Sequence, residues 1–187
     1  MKRTLSIAAV CLLIATAAWS QQVQVSASYL YQGSNRVPGA TDWFGANGGR
    51  ADVSLGSWHR LGLVAEFTGE HASLTSSGQG LTTFTYMAGP RYTLPLGRGE
   101  RRRFSAFAQV LLGGVHASDG IFPDGASTKN TASAFAMSAG SGVEARLKRH
   151  ISLRLIQADY LYTRLPNFND NYESNFRLGA GVVFRLH

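Results

Sequence analysis

The sequence predicts an all-β fold, an eight-stranded antiparallel transmembrane up-and-down β-barrel that follows a cleaved signal peptide. Three observations carry this expectation. After Gln21 the dominant period of the sequence is two, with one apolar face and one small or polar face. Charged residues are only 16% of the chain, below the roughly 25% of soluble domains, while many of its 21 glycines fall inside strand-like stretches. The N-terminus has the anatomy of an export signal.

Lys2 and Arg3 form a positive head, Leu5 to Ala18 is uncharged and largely apolar, and Ala18-Trp19-Ser20 offers small residues at a peptidase site. Cleavage is therefore expected before Gln21, with residues 1–20 as signal peptide and 21–187 as the barrel domain. The apolar run is shorter than the about 20 residues of a membrane helix. Cys11, the sole cysteine, lies mid-run after bulky Val10, which argues against a lipid-anchored N-terminus. Its removal leaves no disulfide framework. Loss of Lys2 and Arg3 lowers the formal net charge from +7 to +5.

Eight segments alternate. The first is Gln22–Gln32, with Val23, Val25, Ala27, Tyr29 and Tyr31 on one face. Next come segments around Ala51–Gly56, Leu61–Thr68 and Phe84–Thr93, then Ala106–Gly113, Phe135–Glu144, Leu155–Tyr162 and Phe176–Leu186. Pro90 lies inside the fourth, where a missing ladder donor predicts a bulge. The connectors alternate too. Gly33–Trp43, Ser73–Gly80, Ser118–Thr131 and Arg164–Ser174 read as long polar loops; Ser57–Arg60, Pro95–Arg103 and Arg146–His150 read as basic turns. Long loops at one end and turns at the other, with an even strand count, place the loops outside the cell and both termini in the periplasm.

The less apolar face carries Asp52, Glu66, Arg91, Glu144, Asp159, Arg177 and Arg185 among Gly and Ser, which suits a narrow polar lumen with charges paired inside. The apolar face ends in aromatics: Tyr29, Tyr31, Phe67, Tyr160, Tyr162 and Phe176 toward the loops, Tyr92 and Phe184 toward the turns. Two such girdles are expected at membrane interfaces. A soluble periplasmic lipocalin-like carrier would need the same face turned inward around a ligand.

The chain resembles the OmpA-like eight-stranded outer-membrane barrels. The resemblance spans the whole mature chain and rests on Tyr86-Met-Ala-Gly-Pro-Arg-Tyr92, Phe107-Ala-Gln-Val-Leu-Leu-Gly-Gly114, Gly140-Ser-Gly-Val-Glu144, Asp159-Tyr-Leu-Tyr-Thr163 and Phe176-Arg-Leu-Gly-Ala-Gly-Val-Val-Phe184. The last stretch looks like the assembly signal of such barrels, through Arg177, Gly179, Val182 and Phe184, although the chain ends in Leu186-His187 instead of Phe. The resemblance implies the bacterial outer membrane as location. As partners it implies outer-membrane lipids and lipopolysaccharide, with the barrel-assembly machinery and periplasmic chaperones during biogenesis. No peptidoglycan-binding domain is expected. The family's interior charge cluster maps onto Glu66, Arg91 and Glu144 by strand. Arg154, the candidate on strand seven, falls on the outward parity, with Arg185 as a substitute near the turns.

An eight-stranded interior is just wide enough to be filled by side chains, so no open channel is expected. The predicted function is non-enzymatic: a structural scaffold, with recognition or adhesion of an unknown extracellular ligand by the loops. An enzymatic alternative, a lipid A deacylase-like barrel, would use His116 and Ser118 of His116-Ala117-Ser118, but lacks an evident acid. Five scattered histidines predict no metal site and no motif predicts a cofactor. The basic segments lack interleaved aromatics and the chain is exported, so no nucleic acid is expected. They could instead meet anionic headgroups of the inner leaflet.

Overall fold

The computed structural model describes residues 23–34, 44–58, 60–73, 80–97, 103–124, 127–165 and 173–186. The expected signal peptide lies outside them. Eight strands follow in order: β1 (Val23–Ser34), β2 (Phe44–Trp58), β3 (Leu61–Ser73), β4 (Gly80–Leu96), β5 (Phe104–Asp124), β6 (Ser127–Arg146), β7 (Ile151–Thr163) and β8 (Glu173–Leu186). Each pairs antiparallel with its sequence neighbour, and β1 pairs with β8 to close the barrel. Ala27 shows the closure, standing opposite Ala51 on one side and Val182 on the other. Closure gives every strand two neighbours, so no edge of unpaired amides faces hydrocarbon.

The period-two pattern sorts as expected. Asp52 and Glu66 are 2% and 3% exposed, while Tyr29 and Leu63 are 61% and 63% exposed. Large apolar side chains thus cover the outside and charges fill the inside, the reverse of a soluble barrel. This excludes the lipocalin-like carrier, whose outer face would be wetted. Outward aromatics band the loop end, with Phe84, Tyr86 and Phe135 joining those read from sequence; Phe104 joins Tyr92 and Phe184 at the turn end. Phe67 and Phe84 stack with centroids 6.0 Å apart, and the Tyr160 hydroxyl donates to Ser174 Oγ at 2.7 Å.

Three local expectations are corrected. Pro90 causes no bulge: β3 pairs straight through it, and the β4–β5 ladder omits Gly89 and Pro90 and resumes at Arg91↔Gln109 in unchanged register. The missing donor is absorbed as a gap in one ladder. The expected loop Ser118–Thr131 is instead mostly strand. Asp119 turns into left-handed backbone (φ 66°), the register shifts between Ser118 and Phe122, and pairing continues to Asp124↔Ser127. Polarity misled here, because a hairpin projecting past the bilayer meets water on both faces. The third correction concerns strand seven. Leu155 and Ile156 both point outward, and the ladders to β6 and β8 each shift beside them. This bulge reverses the parity before it, so Arg154 faces the lumen.

A closed, fully paired barrel resists detergent until heated. The protein extracted in detergent is expected to migrate differently in gel electrophoresis before and after boiling. Identical migration would be incompatible with the closed ladder.

Candidate functional site

The lumen is the only place in a membrane barrel where alternating strands can send charge without meeting lipid. All eight strands send a polar group into one connected network. On its turn side, Asp52 accepts from Arg154 Nη1 at 2.6 Å, from Arg91 Nη1 at 3.2 Å and from the Ser26 hydroxyl. Arg154 also reaches Glu144 at 3.1 Å, and Arg185 approaches Glu144 at 3.9 Å. On its loop side, Arg50 meets Asp159, and its Nε lies 3.5 Å from Glu66. Arg177 reaches Glu66 at 3.4 Å and Glu70 at 3.2 Å.

Two glutamines join the halves. Gln109 accepts from Arg91 Nε at 2.9 Å and donates to Glu66 at 3.2 Å. Gln157 accepts from Arg154 at 2.9 Å and donates to Asp159 at 2.9 Å. The network therefore holds five carboxylates (Asp52, Glu66, Glu70, Glu144, Asp159) against five guanidinium groups (Arg50, Arg91, Arg154, Arg177, Arg185), and its formal charge is zero. Neutrality is what a low-dielectric interior requires, since an unmatched buried ion costs several kcal/mol.

Packing fixes the geometry. The Phe107 ring lies under two guanidinium groups, 4.6 Å from Arg91 and 5.1 Å from Arg154. Gly142 makes room for it: a Cβ there would press on the Phe107 ring and on the Ile156 carbonyl. Gly140 likewise leaves space for the Asp159 carboxylate. Toward the loops the lumen turns apolar, where Leu111, Val115, Ala117, Ala136, Leu161 and Leu165 pack together. Charge on the inner face is thus confined to part of its height, while buried Thr83 and Thr163 stand opposite Ala117 and Ala136 at the level of this cluster.

All seven interior residues named from sequence point into the lumen and make ion pairs there. Arg50, Glu70, Gln109 and Gln157 were missed, and Arg154 was assigned outward. Parity alone would have found Arg50 and Glu70, which share a face with Asp52 and Glu66. Arg154 needed the bulge, and the expectation that it faces outward is wrong: it is 1% exposed and pairs with Asp52 and Glu144. Arg185 accompanies it rather than replacing it.

His116 and Ser118 face outward near the loop end. The His116 ring bonds Ser133 Oγ at 2.8 Å across β5–β6, whereas Ser118 Oγ lies 3.5 Å from Asp119. The structure thus pairs His116 with a different hydroxyl from the one the motif suggested. In the candidate assembly signal, Arg177 and Gly179 point inward and Phe184 outward. Among the described residues no cluster of metal-ligating side chains forms.

A closed eight-stranded barrel with an apolar exterior and a charge-balanced interior defines a bacterial outer-membrane protein. The sequence matches the outer membrane protein beta-barrel domain family over residues 4–184, and the chain belongs to that family. Among solved structures it is similar to Neisserial surface protein A, with a TM-score of 0.60 at 15% identity, covering 89% of this chain and 97% of that one. It is also similar to Ail, the attachment invasion locus protein of Yersinia pestis, solved with the heparin analogue sucrose octasulfate. There the TM-score is 0.54 at 16% identity, covering 89% of this chain and 99% of Ail. Among curated protein sequences none matches.

Replacing Arg154 with Met strips Asp52 of its closest cation and leaves Glu144 only the distant Arg185. A loss of about 3–5 kcal/mol is expected, from the cost of breaking a buried pair. Gly142→Ala, which crowds Phe107, is expected to cost about 1–3 kcal/mol. Urea unfolding of the protein refolded into lipid vesicles measures both, and an Arg154→Met midpoint equal to wild type would show the network to be energetically idle.

Proposed function

We propose that the protein is a non-enzymatic outer-membrane scaffold whose loop end, led by the β5–β6 hairpin, recognises a neutral polar partner outside the cell. The observation that carries this reading is the hairpin itself. Strand pairing continues past Ser118 to Asp124↔Ser127, beyond the band of outward aromatics, so it presents a structured platform rather than a slack loop. Rigid presentation lowers the ordering cost of binding.

Composition supports the choice of partner. The four loop-end segments contain Arg36, Lys129 and Arg164 against Asp42, Asp119, Asp124, Asp170 and Glu173, with many Ser, Thr and Asn and the aromatics Trp43, Phe122, Phe168 and Tyr172. Hydroxyls, amides and aromatic faces suit neutral sugars or peptide backbone. A slight acidic excess disfavours polyanions such as the sulfated ligand seen with Ail. In this reading the turn end and both termini face the periplasm. Residues 1–20 are removed on export, and Arg177, Gly179, Val182 and Phe184 address the chain to the assembly machinery after chaperone escort. The outer leaflet supplies lipopolysaccharide around the loop-end girdle. The charged network and the apolar cluster above it fill the lumen, which supports a non-conducting barrel.

Purified protein in lipid nanodiscs, applied to an array of neutral and sulfated oligosaccharides and matrix peptides, tests the reading. Retention on neutral members is expected, and replacing residues 119–130 by a two-residue turn should abolish it. Preference for heparin, or binding indifferent to the hairpin, would overturn it. Ser118→Ala and Ser133→Ala are each expected to leave lipid A acylation in producing cells unchanged; a change in either would restore the deacylase.

A further inference from the structure

We propose that the turn-end mouth of the barrel is a binding site for a phosphate-type oxyanion. A cavity of about 220 Å³ opens there, lined by Arg60, Arg91, Arg146 and Arg185, with Phe107 in its wall and Glu144 its only carboxylate among the described residues. A neighbouring cavity of about 260 Å³ shares Arg146 and Arg185 and adds Arg103.

The charge here is unbalanced, unlike that of the network above it. Glu144 is already taken by Arg154 at 3.1 Å, with Arg185 at 3.9 Å. Arg60, Arg103 and Arg146 make no ion pair among the described residues, so the mouth keeps a surplus of positive charge. Two of its guanidinium groups also hold buried nitrogens without an acceptor, Arg91 Nη2 and Arg185 Nη1. Arg91 is 5% exposed, so its free donor cannot simply be solvated by rotating outward. Buried donors without partners call for an acceptor.

The side chains of Arg60, Arg103 and Arg146 are exposed, and the backbone that carries them is fixed by hydrogen bonds. The Arg60 carbonyl accepts from Thr93 N at 2.8 Å, Arg146 N donates to the Arg103 carbonyl at 2.6 Å, and Arg185 N donates to the His150 carbonyl at 2.9 Å. Arg60 sits in left-handed backbone (φ 74°), a conformation that glycine or asparagine adopts with less strain. An arginine kept at that cost is consistent with a use for its charge.

Several converging guanidinium groups match the tetrahedral, multiply charged oxygens of phosphate better than a single carboxylate, which would leave most of the surplus uncompensated. The cavity is smaller than the about 300–1,000 Å³ of typical organic-ligand sites, which limits the occupant to a small anion or the headgroup of a larger molecule. Outward Tyr92, Phe104 and Phe184 mark the membrane boundary at this level, so a lipid headgroup could reach the mouth as readily as a free phosphate. This inference does not rest on the loop-end reading.

The test uses the folded full barrel in neutral detergent, titrated calorimetrically with pyrophosphate, and in parallel reconstituted in phosphatidylcholine nanodiscs with or without phosphatidylglycerol, scoring bound lipid by native mass spectrometry. The comparison variants are Arg146→Gln/Arg185→Gln and, on the exposed turn, Lys148→Gln; unchanged boiling-dependent migration confirms that each is folded. Pyrophosphate binding weakened about tenfold or more in the double variant, and unchanged in Lys148→Gln, supports the site with a free anion as occupant. Retained phosphatidylglycerol that the double variant loses supports it with a headgroup as occupant. No binding in either arm, or an equal loss in Lys148→Gln, overturns it.

Discussion

The closing pairing of β1 with β8 is the constraint on which everything else depends. In hydrocarbon an unpaired amide has no water to turn to, so a β-structure must either close or stay out of the membrane. Closure in turn divides the side chains: with a period of two, each strand gives alternate residues to lipid and to a narrow lumen. The low charge of the sequence and its apolar surface follow from the first half of that division, and the dense ionic network from the second. The lumen is too narrow to hydrate ten charged groups, so they must satisfy one another.

The network meets that demand by pairing across the barrel rather than along it. Arg154 on β7 bonds Asp52 on β2, and Arg177 on β8 bonds Glu66 and Glu70 on β3. These ties join strands far apart in the sheet, so they report correct closure in a way that neighbouring ladders cannot. A shift of one residue in any of the six strands that carry interior charge (β2, β3, β4, β6, β7 and β8) would send that charge into lipid. The charges therefore specify register as well as filling space, and the two glutamines make the halves interdependent.

Strand number, order and facing were legible in the sequence because each depends on local alternation. What was illegible depends on breaks in it. The bulge at Leu155–Ile156 is two apolar residues in a row, a pattern that also occurs where alternation is merely imperfect, as at Leu111–Leu112. Nothing local distinguishes them. Their difference lies in the partner strands: Arg154 has Asp52 and Glu144 to bond once inside, and outside it would have met lipid. Unbroken parity put a charge on the lipid face, and that physical conflict was the available signal. The β5–β6 hairpin was hidden for another reason: water on both faces removes the alternation that marks a strand.

Comparing the two ends with the middle gives the fold a division of chemistry. The middle is neutral because it is buried. The loop-end segments are nearly neutral by composition, and the turn-end mouth is strongly cationic. Neither imbalance is demanded by closure. Arg60 and Arg146 are exposed, as Lys148 and Arg149 are, so solvation of the turns serves all four. It does not account for buried Arg91 and half-buried Arg185 lining one cavity with a nitrogen each left without an acceptor, beside a Glu144 already paired with Arg154. Buried donors that share one cavity with exposed cations favour an acceptor, and an arriving anion would supply it.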